Sequence, residues 1–294
     1  MQRYPAWMKK PFSPDGTAHE VRELVSDLAL ATVCESAVCP NLRECYSQRQ
    51  LTFMILGDRC TRSCRFCAVE SGKPVPVAAD EPWRVAEAVR RLGLRHAVIT
   101  SVARDDLQDE GASHFVDVLQ AVRQYNPGVT VEVLVPDFHG RPALIRQVLE
   151  EGRPEVFAHN VETIERLSPL LRPQADYRRS LDVLRLAAST GGGLVKSSLM
   201  VGLGETPEEV LRTCEDLRGA GVTHLTIGQY LRPDPSSLPV QEYVSPERFR
   251  FYDALARRAG LRWVKSGVFV RSSYHAVEAL EAPAEPVVTT PSWR

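Results

Sequence analysis

This 294-residue sequence is short of several things, and each shortage excludes a class of function. It carries no excess charge: 36 Lys+Arg against 37 Asp+Glu give a formal net charge of −1. A general nucleic-acid binder would hold a basic surplus, so nucleic acid is not an expected partner. No apolar run approaches the roughly 20 residues of a membrane span, and no membrane role is expected. The opening MQRYPAWMKKPFSPDG places no apolar stretch behind Lys9 and Lys10, so a secretory signal is not expected. No G-x-G-x-x-G follows a strand pattern; Gly202 and Gly204 in MVGLGE lack the third glycine. The P-loop pattern and H-E-x-x-H are also missing. The seven histidines are scattered, which leaves a zinc hydrolase without support. What remains is an ordinary soluble composition, 44% hydrophobic and 25% charged, long enough for one large domain or two small ones. A chain of this size folds without needing disulfides.

The informative residues are the cysteines. Six of the seven fall between positions 34 and 67. An odd total without an export signal makes a disulfide framework a poor explanation, and clustered thiols in a reducing compartment more often bind metal. A cytoplasmic setting is the default. The six form two triads: CESAVCPNLREC (Cys34, Cys39, Cys45) and CTRSCRFC (Cys60, Cys64, Cys67). Zinc sites complete sets of four, usually in C-x2–4-C pairs. Triads suit iron–sulfur clusters, in which each iron takes one protein ligand. Three thiolates leave one iron of a four-iron cube free to bind something else. Positions 60, 64 and 67 also have helical spacing, which would fit a buried apolar stripe. Gly57 and Asp58 before them and Thr61, Arg62, Ser63 and Arg65 between them point instead to a polar loop. Cys214 has no cysteine partner and reads as a buried structural thiol.

The rest of the chain alternates strand and helix signals. Strands are expected at 51–57, 96–102, 130–136, 155–161, 194–202 and 224–231, with a further short one at 261–267. Helices are expected at 82–92, 111–125, 142–151, 161–170, 176–190, 207–219 and 246–259. Short Val/Ile/Leu-rich runs between amphipathic helices predict parallel strands covered by helices. Six such units build either an incomplete α/β barrel or an open doubly wound sheet, and in both the site collects at the carboxyl ends of the strands. The second triad follows the first strand, at such an end. Residues 1–50 read as an extension folded over the barrel mouth by its own triad. The proline-rich tail 281–294 reads as mobile.

C-x3-C-x2-C after a first α/β strand resembles the radical S-adenosylmethionine (SAM) enzymes. The added C-x4-C-x5-C narrows the resemblance to the lipoyl synthase family. It runs over nearly the whole chain, through CPNLREC, DRCTRSCRFCAV, TSVARDDLQD, PDFHG, HNVET, RPQADY, MVGLGET, TIGQYLRP and RSSYHA. Glu110 and Ser198 stand where that family usually has glycine, and Lys265 where a small residue is common.

The resemblance implies an α/β fold of the partial (β/α)6 TIM-like barrel type, with an N-terminal extension (1–50), a barrel (51–267) and a C-terminal segment (268–294). It implies that Cys60, Cys64 and Cys67 bind the [4Fe-4S] cluster that cleaves SAM. Phe66 would pack near the adenine, and Asn160, Glu162, Lys196 and Glu205 would lie at strand ends facing SAM or substrate. Cys34, Cys39 and Cys45 would bind a second [4Fe-4S] cluster, consumed as the sulfur source and completed by a serine oxygen from RSSYHA. Alternation along an extended segment lets only one of Ser272 and Ser273 face it, and similarity favours Ser273. The implied substrate is an octanoyl group on a carrier-protein lysine, thiolated at C6 and C8 with two SAM consumed. Implied partners are octanoylated lipoyl domains of 2-oxoacid dehydrogenase E2 subunits and the glycine cleavage H protein. A flavodoxin or ferredoxin would donate electrons, and an iron–sulfur carrier would rebuild the spent cluster. Monomer is the default state. Competing readings are a biotin-synthase-like sulfur inserter, a redox iron–sulfur carrier and a zinc module.

Overall fold

The strands expected from the apolar runs pair in one sheet. The computed structural model describes residues 4–10, 16–191 and 193–280. An N-terminal part holds α1 (Thr17–Asp27), β1 (Ala31–Thr32), α2 (Val33–Ser36) and α3 (Leu42–Ser47). Then comes β2 (Thr52–Ile55), followed by a small two-stranded pair, β3 (Arg59–Cys60) and β4 (Glu70–Ser71). From there strand and helix alternate: α4 (Glu81–Leu92), β5 (His96–Ser101), α5 (Ala112–Tyr125), β6 (Thr130–Leu134), α6 (Pro142–Glu150) and β7 (Val156–Ala158). The series continues with α7 (Ser168–Leu171), α8 (Tyr177–Thr190), β8 (Leu194–Val201), α9 (Pro207–Gly219), β9 (His224–Gln229), α10 (Pro246–Arg258) and β10 (Trp263–Gly267).

The sheet order is β1-β2-β5-β6-β7-β8-β9-β10, and β2 through β10 of that sheet run parallel. This is a (β/α)6 partial barrel with a seventh parallel strand. β1 caps its first edge antiparallel, with Ala31 opposite Met54 and Thr32 opposite Phe53.

Period-two alternation sorts the side chains. Val131 and Val133, Val195 and Leu199, and Leu225 and Ile227 turn outward into the common apolar core with the helices. Their alternates Glu132, Lys196 and His224 turn into the barrel, where they are buried. The helices start and stop on local signals. The Thr206 hydroxyl and Glu209 carboxylate form a reciprocal cap at the start of α9, and Gly93 ends α4 in the left-handed region at φ 63°. The helix expected over 161–170 is cut to a 3-10 turn (Glu165–Leu167) and the short α7. The reason is that Glu162 still pairs with Leu199 of β8, extending the sheet past β7.

After β10 the chain turns and runs back down the barrel. The Val270 carbonyl crosses β9 at Gly228, where a Cβ would stand 2.1 Å from it. Further on, the Ala279 carbonyl accepts from His224 Nε2 at 3.1 Å. Gly228 lies near the carboxyl end of β9 and His224 at its start, so this segment travels from the mouth to the base. The tail 281–294 lies outside the described residues.

Candidate metal centres

The second triad stands at the mouth. β2 ends in a tight bend that holds Leu56 at φ 69°, a conformation costing roughly 1–3 kcal/mol for a non-glycine residue. The bend is clamped from both sides. Leu56 N donates to Glu81 Oε2 at 2.8 Å, and Leu56 O accepts from Arg104 Nη1 at 3.1 Å. Cys60 follows in β3, and Cys64 and Cys67 lie in the loop beyond, as the polar intervening residues led us to expect. Backbone N–H groups point at the sulfurs. Cys60 Sγ accepts from Ala103 N (3.3 Å) and Arg62 N (3.4 Å), and Cys67 Sγ accepts from Val69 N (3.4 Å). Arg62 is buried and bridges Asp105 and Asp137, each at 2.8 Å, tying the loop to those after β5 and β6. Burial pushes the Cys64 thiol up to about 12 and Cys67 to about 11, reinforced by neighbouring cysteines and Glu162. Both are neutral thiols at pH 7 until metal displaces the proton.

Asn160 and Glu162 come to the same mouth. Burial raises the Glu162 carboxyl, against the pull of Arg172 and a bond from Asn160. Among the described residues, Asn160 Oδ1 and Arg172 Nε are buried atoms without a hydrogen-bond partner, an acceptor and a donor left for a ligand of both charges. Arg172 also donates to Asn160 O (3.1 Å) and Ser168 Oγ (3.2 Å). Phe66 is half-buried against an apolar cluster that includes Ile164, Leu171, Leu203 and Tyr230. Glu205 lies in the loop after β8, and its two oxygens accept from Gly202 N (2.6 Å) and Leu203 N (2.9 Å). It holds the loop's own backbone, leaving only the remaining lone pairs for a ligand.

Lys196 corrects the expectation that it faces SAM from a strand end. It lies five residues before the end of β8, deep in the barrel, with 1% of its side chain exposed. Its ammonium donates to both oxygens of Glu132, at 2.8 and 3.0 Å. A buried lysine needs such a partner, and this one is fully engaged away from the mouth.

The first triad corrects a second expectation. It does not fold over the mouth. The antiparallel pairing of β1 carries the chain toward the start of β2, so that the Thr52 backbone hydrogen-bonds to the Cys34 sulfur. The four residues of β2, about 10 Å of strand, therefore separate the two triads. Cys34, Cys39 and Cys45 line a cavity of about 340 Å³ at the barrel base, together with Thr52, His96, Arg271, Ser273 and Tyr274. Ser273 is on that wall and Ser272 is not. Thr52 Oγ1 donates to Ser273 Oγ at 2.7 Å. Burial pushes the Cys34 and Cys45 thiols up to about 12. None of the cysteines is in a disulfide. Each end thus offers three thiols, and the base adds one hydroxyl, a donor set that fits an iron–sulfur cluster at both. Cys214 is buried in the core on α9.

Sequence reasoning missed Arg62 and Arg172 as site-building residues, though both stand in the quoted motifs DRCTRSCRFCAV and RPQADY. Among the departures from the family pattern, Glu110 sits at φ 49° and accepts from Arg141 (2.7 Å), with His139 Nδ1 at 2.8 Å. Ser198 is buried in β8.

The family model of the Radical SAM superfamily matches residues 54–217, more than half of the chain. A lipoyl synthase of Rubrobacter xylanophilus is 53% identical over 279 residues, covering 94% of this chain and 86% of its own. Those of Caldanaerobacter subterraneus subsp. tengcongensis (52%; 93% and 96% covered) and Thermus thermophilus (50%; 92% and 85%) are similar to the same extent. Among solved structures, the maturase HydG of Carboxydothermus hydrogenoformans aligns with TM-score 0.57 at 13% identity, over 90% of this chain and 78% of its own. Methylornithine synthase aligns with TM-score 0.54 at 16% identity, over 87% and 83%. These two share the fold.

Proposed function

The chain belongs to the lipoyl synthase family of radical SAM enzymes, and from that premise we propose how its residues divide the work between the two ends of the barrel. The enzyme inserts sulfur at C6 and C8 of an octanoyl group on a carrier-protein lysine, using two SAM per lipoyl group. When bound, the mouth cluster supplies the electron that splits SAM into methionine and a hydrogen-abstracting radical, and the base cluster supplies the sulfide.

Cys60, Cys64 and Cys67 hold the first cluster, and the N–H groups of Arg62, Val69 and Ala103 offset the charge on their sulfurs. Asn160 Oδ1 would accept a hydrogen bond from the SAM amino group, and the Nε–H of Arg172 would donate one to its carboxylate. Phe66 offers a ring face to the purine. Glu162 adds a carboxylate beside the Cys64 and Cys67 sulfurs, and Glu205 fixes the loop that closes this side. At the base, Cys34, Cys39, Cys45 and Ser273 hold the second cluster. A serine oxygen is a harder, poorer match for iron in this setting than thiolate, which suits an iron that must depart when sulfide is given up. The barrel interior between the two ends keeps the alkyl chain out of water.

The observation that carries this reading is one three-thiol set at each end of β2. The residues described up to 50 act as base-building extension, 51–267 as the barrel and 268–280 as the returning segment. The carrier domain binds briefly, as a modest interface. E2 lipoyl domains and the H protein are its forms, with a flavodoxin or ferredoxin as reductant and an iron–sulfur carrier for repair. The working unit is a monomer in the cytoplasm; among the described residues no helix is long and apolar enough to cross a membrane. A biotin-synthase-like reading is disfavoured by the triad at the base, shared with RSSYHA. The test is anaerobic turnover with an octanoyl-lysine peptide, reductant and SAM. Mass spectrometry should show two added sulfur atoms. Hydrogen abstraction without sulfur gain would overturn the reading.

A further inference from the structure

The base site is assembled from chain segments more than 200 positions apart, and something must hold them in register. Three separate stretches meet beside it. Lys10 comes from the chain ahead of α1, Asn41 and Glu44 from the region of α3, and Phe269 and Tyr274 from the segment that returns after β10. The Lys10 ammonium donates to Asn41 Oδ1 and, at 2.5 Å, to Glu44 Oε2. It also stands 4.6 Å from the Phe269 ring centre and 5.8 Å from that of Tyr274. Asn41 Nδ2 donates to Phe269 O at 2.7 Å, and Tyr274 Oη donates to Glu44 Oε1 at 2.7 Å. Lys265, where the family commonly has a small residue, lies 5.1 Å from the other part of this assembly, the Tyr274 ring, and pairs with Glu278 at 2.7 Å.

The sequence positions make the arrangement pointed. Glu44 precedes Cys45, and Tyr274 follows Ser273. One carboxylate, bonded by Lys10 on one oxygen and Tyr274 on the other, therefore joins a triad cysteine's neighbour to the candidate serine's neighbour. Among the described residues, Ser273's side chain is tied to the barrel by the bond from Thr52. Charge-assisted bonds of the Lys10–Glu44 kind are stronger than such a hydroxyl–hydroxyl bond. The cation beside two ring faces adds to the hold, since Lys10 is only partly exposed.

We propose that Lys10, Glu44 and Tyr274 form a buckle that positions Ser273 against the three cysteines of the base site, so that closing the buckle delivers the serine oxygen and opening it releases that oxygen. These are positioning residues, acting through Ser273. The proposal rests on the assignment of Cys34, Cys39, Cys45 and Ser273 as one cluster site.

The test has two arms. In the first, hydrogen–deuterium exchange of the cluster-free full-length chain is followed over residues 268–276 for Lys10→Met, Tyr274→Phe and the conservative Lys10→Arg. Loss of one charge-assisted bond should speed exchange there roughly ten-fold in Lys10→Met, with Lys10→Arg restoring most of the protection and peptides of α5 unchanged. In the second, the full-length Cys60→Ala/Cys64→Ala/Cys67→Ala protein is loaded with iron and sulfide, so that only the base cluster remains. Its reduced EPR spectrum is recorded with and without added 2-mercaptoethanol. Ser273→Ala should show a thiol-induced shift, and Tyr274→Phe and Lys10→Met should show the same shift while the parent does not. If the parent holds no cluster, the site assignment itself is wrong. If the parent and Ser273→Ala behave as described but the buckle variants match the parent in both exchange and EPR, the site stands and the buckle is refuted.

Discussion

The two ends of the barrel hold similar thiol sets in different ways. The mouth triad is local: three cysteines within eight residues, in a loop pinned by the buried pairs of Arg62 with Asp105 and Asp137 and by backbone N–H groups directed at sulfur. The base triad is assembled: its sulfurs come from α2, α3 and the loop between, its serine from 221 positions beyond Thr52, and its brace from Lys10. A cluster that must survive many turnovers suits the first construction. On the proposed assignment, a cluster that is dismantled and rebuilt suits the second, whose parts come from separate chain segments.

The largest effects should separate the two ends cleanly. Cys64→Ala should abolish SAM cleavage, measured as 5′-deoxyadenosine, whereas Cys39→Ala should keep it and make no lipoyl product. Lipoyl product from Cys39→Ala would erase the distinction. Smaller in size, Arg62→Met removes the nearer of two guanidinium partners of the buried Asp137, leaving Arg179 at 3.3 Å, and should cost about 1.5–3 kcal/mol of stability, read by denaturant melting. If it costs under about 1 kcal/mol, the pinning of the mouth loop is overstated.

Lys196 sharpens the comparison from between the two ends. Lys196→Met alone should destabilise by about 3–5 kcal/mol, because it leaves the buried Glu132 without its ammonium partner and with His96 Nε2 no nearer than 3.7 Å. Lys196→Met/Glu132→Leu should recover most of that and bind SAM within about three-fold of the parent, a change under about 1 kcal/mol. A large loss of SAM affinity in the double variant would return Lys196 to the mouth.

How much of this could be read in advance depended on whether the signal was local. The strand and helix runs were visible because alternation and helical periodicity are written in neighbouring residues; β8 at 194–201 lies within the expected 194–202. The mouth triad was placed because it follows β2 directly. The base triad was misplaced because the deciding fact, β1 pairing antiparallel with β2, is a long-range pairing with no marker in two residues, Ala31 and Thr32. Lys196 was misplaced although a signal existed. Gly202 at φ 94° ends the strand, so position 196 had to lie well below it, with Glu132 two residues from the end of β6 as its partner.

A further effect is on pH dependence. Burial lowers His159 and His224 from their ordinary 6.5 to about 4. The unfolded chain takes up protons there before the folded one does, so stability is full above pH 6.5 and falls as pH drops toward 4. Replacing His159 by Gln should flatten part of that fall in melting temperature. An unchanged slope would mean that the histidine does not stay neutral in the folded barrel.

On the proposed reading, the base site gives up its own sulfide. The direct measurement loads the enzyme with 34S-sulfide clusters and follows one catalytic cycle anaerobically with unlabelled medium. Lipoyl product carrying two 34S atoms from the parent, and none from Cys39→Ala, is the expected result. Product in which both sulfurs are unlabelled would contradict the account.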